Sequence, residues 1–347
     1  MHRFFCIRLF LCTLGVFVTT PDLRGVDGTI FGVQSRRTST RFPLFARLND
    51  DSTISNPGAA LFGLNGDIRG AALRGGTFYG IQREIGATES YLVTIAYEGF
   101  ALGDRVGVEP VGFSEIEGMA NMAAKLVAVS VDSAARTTSL ISIDCKSGVG
   151  TLIGTGPVDV IIVALAYDPV GEVIYGAGIP SGEVTVSNLY SIDPGTGGMT
   201  LVGALGASIH GLAWSDDLGL VGSFDHLYRI DSSSGAATQV GITDYTDGLG
   251  VGAGIRNGMY ALAGLNAAVV SEFEVISITR SETGEVELRW GSDPCRRYQV
   301  QHSPDLGAEN WTDVSDLLEG TEAMMGFTFG GAAADAAGYF RVVSSTP

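Results

Sequence analysis

Chemistry at neutral pH wants a group that titrates there, and this chain carries only four histidines. His210 is the one that falls into a series. Arg69, Glu117, Val163, His210 and Asp247 each stand one residue ahead of a recurring short motif. The motifs are GAAL at Gly70, GMAN at Gly118, ALAY at Ala164, GLAW at Gly211 and GLGV at Gly248. His210 with Asp247 or Glu117 is a pairing suited to general acid–base catalysis, which needs a titrating group and a partner within hydrogen-bond reach. The competing reading is that these positions are solvated and vary freely. A second set is cationic: Arg36, Arg37, Arg41, Arg69 and Arg83. Residues 22–83 hold eight Arg against five Asp, while the whole chain has a net charge of -17. Guanidinium forks match carboxylates and sulfates, so a basic sector on an acidic body is a candidate site for an anionic ligand such as an acidic glycan. The competing reading of this set is a solvated loop.

Other chemistries find little support. There is no C-x-x-C or H-E-x-x-H spacing for zinc. Gly250 to Gly254 is glycine-rich, but no helix pattern follows to supply the N-terminal dipole that holds a phosphate. No G-x-S-x-G elbow occurs. The Asp-Gly turns at Asp144, Asp193 and Asp231 lack the ligand spacing of a calcium loop. The sequence therefore implies no metal and no cofactor. With 38 acidic and 21 basic residues, it also argues against nucleic acid as a partner. Only 17% of residues are charged and 45% are hydrophobic, which excludes a solvated disordered chain.

The elements that must position these residues repeat at roughly 40–48 residues. LISIDCKSGVGTLIG opens at Leu140, LYSIDPGTGGMTLVG at Leu189 and LYRIDSSSGAATQVG at Leu227. A third series, in the same phase, reads IFGV at Ile30, FYGI at Phe78, LVAV at Leu126, IYGA at Ile174, LVGS at Leu220 and MYAL at Met259. Each unit thus holds four short strands divided by turn signals. In the best copy these cover residues 164–167, 173–176, 189–192 and 199–202. Asp side chains can bond nearby amides in such turns, and Gly supplies positive φ. The 49 glycines follow from this turn density.

Four-stranded units in this number are the signature of a β-propeller. The pattern LYxID-xxTG-xxTxVG, with GLAxD ahead of it, resembles a repeat of exported bacterial propellers. The resemblance is specific for fold and carries no activity. It implies an all-β chain: an about six-bladed propeller over residues 22–274, followed by a small β-sandwich over 275–347. The first copy has a poor opening strand (Leu23 to Val26) and the last lacks a fourth strand, so one can complete the other. In the C-terminal part, EVELRW, RRYQVQHSPDL, NWTDV and GYFRVV resemble a fibronectin-III-like module, with Trp290, Tyr298, Trp311 and Phe340 expected in its core.

Residues 1–21 read as a signal peptide: His2, Arg3 and Arg8, then an uncharged run from Leu9 to Val18 that is too short to span a membrane. The alternative is a buried first strand. Cys145 and Cys295 fall in different modules and are expected to be unpaired, with an interdomain bridge as the alternative. These features together predict a monomeric protein that is secreted, periplasmic or on the cell surface. The leading expectation is a non-catalytic module binding an anionic glycan or an extracellular protein through the propeller's loop face. The alternatives are a propeller enzyme, a lyase or glycoside hydrolase acting on an extracellular polymer, and a structural spacer.

Overall fold

The computed structural model describes residues 66–240 and 275–345, apart from 75–76, 85, 97–100, 108, 123–124, 181–185, 217, 225, 283, 305–310, 322–323 and 331–337. It also describes the strands Gly15–Thr19, Ile30–Gln34, Leu44–Leu48, Ile54–Ser55 and Met259–Gly264. The chain divides into two compact units, residues 26–270 and residues 1–25 with 271–347. Among the described residues every regular element is a strand.

Among the described residues the larger unit holds five four-stranded sheets, each an antiparallel meander. Blade I comprises Gly66–Arg74, Thr77–Glu84, Ser90–Ala96 and Ala101–Arg105. Blade II comprises Ile116–Met122, Lys125–Asp132, Thr137–Ile143 and Gly150–Thr155. Blade III comprises Val160–Asp168, Val173–Pro180, Asn188–Ile192 and Met199–Ala204. Blade IV comprises Gly211–Ser215, Gly219–Ser223, Leu227–Ile230 and Ala237–Val240. Blade V draws on both ends of the repeat region: Met259–Gly264 is innermost, followed by Ile30–Gln34, Leu44–Leu48 and Ile54–Ser55. Each innermost strand packs beside the next, and Met259–Gly264 lies beside those of blades IV and I, so the ring closes. This is a β-propeller, and it counts five sheets rather than about six because the two incomplete terminal copies merge into one. MYAL, which the repeat phase makes a second strand, is therefore an innermost strand, and IFGV is its partner.

Inner strands can converge only where side chains are small. A Cβ added to Gly70 would lie 2.6 Å from the Met119 amide nitrogen, and one added to Gly118 would lie 2.8 Å from Ala164 Cα. These are the glycines of GAAL and GMAN, so that motif is the contact between neighbouring blades. The centre is filled at this level: Ala71, Met119, Leu165, Leu212 and Leu262 surround a cavity of about 30 Å³, room for a water or two. The strands flanking the axis are buried on both faces, as in Lys125–Asp132, where only the two end residues are exposed.

The turns are built as the Asp-Gly signals suggest. Asp193 Oδ1 accepts bonds from the Gly195 amide (2.9 Å), the Thr196 amide (2.8 Å) and the Thr196 hydroxyl (2.9 Å), while Gly197 takes φ 70°. The Thr196 hydroxyl and the backbone amides hold this carboxyl below its ordinary range. The same turn recurs at Asp144 and Asp231, a structural use of each aspartate.

The smaller unit is a two-sheet sandwich. One sheet runs Val275–Arg280, Val286–Gly291, Met324–Phe329. The other places Tyr339–Ser345 beside Arg297–Ser303, which pairs Thr312–Asp313 and Leu318–Glu319; Gly15–Thr19 lies parallel to Tyr339–Ser345. Val275, Leu288, Trp290, Tyr298, Phe340 and Val342 share one core between the sheets. Trp311 is half-buried, with the Arg341 guanidinium 4.4 Å from its ring centroid. Cys145 and Cys295 are both disulfide-bonded, which corrects the expectation of free thiols.

Two measurements test this description. Gly118→Ala should lower folding stability by about 1–3 kcal/mol through overpacking against blade III, read by denaturant titration. In the sandwich, His302 stacks on Phe329 (5.6 Å) and tilts onto Phe340 (5.0 Å), and burial lowers its pKa. The folded state therefore favours neutral imidazole; its stabilising contribution is full above the ordinary histidine pKa and is lost as pH falls below it. The gap in thermal midpoint between wild type and His302→Phe should change between pH 8 and pH 5, with wild type losing more. A pH-independent gap would refute that assignment.

Candidate functional site

The residues that precede the repeat motif share a backbone device. In blade I, Ile68 pairs with Gln82 and Ala71 with Gly80, so Arg69 and Gly70 together oppose one residue. In blade II, Ile116 pairs with Ser130 and Gly118 with Val129, leaving Glu117 unpaired. Val163 is skipped in the same way in blade III. In blade IV the His210 amide bonds the Ser223 carbonyl at 2.9 Å, the residue that also pairs with Gly211. In blades I, II and III this is a β-bulge, which bends the strand and re-aims one side chain out of the alternation, whereas His210 lies just ahead of the regularly paired Gly211–Ser215. In blade V the skipped residue is Tyr260, between Met259 opposite Gln34 and Ala261 opposite Val33.

Arg69 and Glu117 meet. Arg69 Nη1 lies 3.3 Å from Glu117 Oε2, Arg69 Nη2 lies 3.1 Å from Asp67 Oδ2, and Arg83 Nη1 lies 3.3 Å from Glu117 Oε1. Glu117 is thus held by two guanidiniums from the neighbouring blade. Arg69 is only 9% exposed, and its Nε has no hydrogen-bond partner. These groups line an open pocket of about 480 Å³, together with Glu84, Gly86, Ala87, Thr88 and Glu115, a volume in the range of ligand sites. One wall is the loop between the second and third strands of blade I. At the rim, Arg105 pairs with Glu84 and sits 3.8 Å from the centroid of Tyr91, whose hydroxyl donates to Glu89 at 3.0 Å. That bond to Glu89 raises the Tyr91 pKa.

The remaining expected residues lie elsewhere. His210 packs against Phe224, ring centroids 4.4 Å apart, and is not among the residues lining this pocket. Arg36, Arg37, Arg41 and Asp247 fall outside the described residues. Asp67 and Glu115 were not anticipated. A signal existed: Asp67 stands two residues before Arg69 and Glu115 two before Glu117, at matching places in successive copies.

No family model matches the chain, and no curated protein matches it. Solved structures do. A gluconolactonase from Xanthomonas campestris is 12% identical with a TM-score of 0.38, over 76% of this chain and 83% of that one. An exo-β-1,3-galactanase from Phanerochaete chrysosporium is 10% identical with a TM-score of 0.38, over 91% and 96%. An aldose sugar dehydrogenase from Streptomyces coelicolor, in its PQQ-bound form, is 16% identical with a TM-score of 0.34, over 84% and 86%. At these values the likeness is one of architecture. These three structures are enzymes by name. The cationic side chains described on this face are spoken for, Arg69 by Asp67 and Glu117 and Arg83 by Glu117. Both findings correct the expectations of a non-catalytic binding module and of a chain that is not an enzyme. They turn the order of readings toward the enzyme.

Removing Arg69 leaves two carboxylates facing each other with little solvent. Arg69→Met should therefore cost about 3 kcal/mol, as broken buried pairs do, and more than Arg83→Met, which deprives Glu117 of one of its two partners. Urea titration of both variants reads the order; the reverse order would show that Arg83 is the principal clamp.

Proposed function

We propose that the chain is an exported propeller enzyme, a glycoside hydrolase acting on an extracellular polymer at the blade I–blade II pocket. The observation that carries this reading is Glu117: an unpaired bulge residue, held by two guanidiniums, opening onto a pocket with three further carboxylates. Glycoside cleavage needs one carboxyl group to protonate the leaving oxygen and another to act as base or nucleophile, roughly 5–9.5 Å apart. Asp67 and Glu117 both contact the Arg69 guanidinium. Two contacts fix the Glu117 carboxylate in orientation, which favours it as base or nucleophile. The arginines hold both groups in place, so that positioning is settled before substrate arrives.

Export is supported by the bonded state of Cys145 and Cys295, which persists in oxidising compartments; Gly15–Thr19, within the start read as a signal peptide, instead pairs with Tyr339–Ser345. The fibronectin-III-like sandwich is then an accessory module of the enzyme.

The test is a screen of extracellular polysaccharides for new reducing ends. Glu117→Gln should reduce any activity found by about 100-fold or more, with folding intact by circular dichroism. Arg136→Ala, in an exposed pair with Asp159, should leave the activity unchanged. An active Glu117→Gln enzyme would remove this pocket from the reaction.

A further inference from the structure

We propose that the substrate of this site carries protonated amines, as an amino-sugar polymer does, and that Glu115 receives one of them. The proposal rests on the reading of the pocket as the reaction site and adds the class of substrate. Pairing of the lining charges leads to it. Asp67 is matched by Arg69, Glu117 by Arg69 and Arg83, and Glu84 by Arg105. Glu115 remains: it accepts the Ser133 hydroxyl, and among the described residues no cation pairs with it. In blade I the matching position, Asp67, has an arginine two residues on; in blade II Glu115 has Glu117 there, so this wall carries one uncompensated carboxylate.

A second, independent feature points to a ligand oxygen. Arg69 lines the same pocket, is more than nine-tenths buried, and keeps an Nε donor without an acceptor. A buried donor left unmade is costly, and the Arg69 guanidinium keeps an unsatisfied N–H beside this pocket. A carboxylate without a cation, in a pocket whose other charges are matched, suits an ammonium group on a sugar ring. The wider field agrees: a net charge of -17 attracts polycations and repels polyanions. This replaces the acidic glycan that the Arg-rich sector suggests, since the described arginines of that sector at the pocket are already neutralised.

The experiment is calorimetric binding of three short oligomers to the full-length protein: glucosamine, N-acetylglucosamine and galacturonate. The glucosamine oligomer should bind about tenfold or more tighter than its acetylated form, as a charge-assisted contact provides, and the margin should shrink at high salt. Glu115→Gln should abolish that margin without weakening the acetylated oligomer, while Glu115→Asp should preserve part of it. Equal or tighter binding of the acetylated or uronate oligomer overturns the proposal, as does a margin that survives Glu115→Gln. The two readings fail separately. If amine-selective binding is seen but Glu117→Gln still cleaves, only the reaction assignment is lost. If a neutral polymer is cleaved in a Glu117-dependent way without amine preference, only the substrate class is lost.

Discussion

Five strands must meet around one axis, and crowding there governs the rest of the molecule. Neighbouring inner strands approach so closely at Gly70 and Gly118 that no side chain fits between the backbones. The space they surround is closed by alanine, leucine and methionine and holds little more than a water. A packed axis cannot double as a substrate tunnel at that depth. Function is pushed to the face where the inner strands begin, which is where the bulges lie.

The bulges convert this constraint into a site. Regular pairing would alternate side chains between the two faces of a blade. Skipping one residue in the inner strands of blades I, II and III frees Arg69, Glu117 and Val163 from that alternation. The device recurs, but the residue it presents differs from blade to blade. Between blades I and II it brings opposite charges into contact, beside a pocket lined by carboxylates and guanidiniums. One backbone feature, repeated, thus allows the blades to share a fold while one junction carries chemistry.

Much of the architecture was legible in the chain. The phase of the repeated motifs placed the strands of blade III almost as observed, because short apolar runs between Asp-Gly turns have few other stable conformations. The same phase singled out the bulge position in blades I, II and III. Repeat phase treats the copies as a line, whereas a ring joins its last copy to its first, so Met259–Gly264 is innermost in blade V. The cysteines were misread for a related reason: distance along the chain says little about which thiols can bond.

The sequence by itself determined the all-β repeat, the turn chemistry and the candidate ring of residues, because these depend on local conformation and on periodicity. Tertiary structure alone decided how many blades close the ring and which of those residues face one another. It also turned an apparent surplus of arginine into a neutralised clamp. Arg69 and Glu117 are 48 residues apart, and Asp67 and Arg83 carry no mark that would attach them to Glu117. Charge in a sequence is a sum, but the field in a pocket depends on distances of a few ångströms, and only the closed ring sets those.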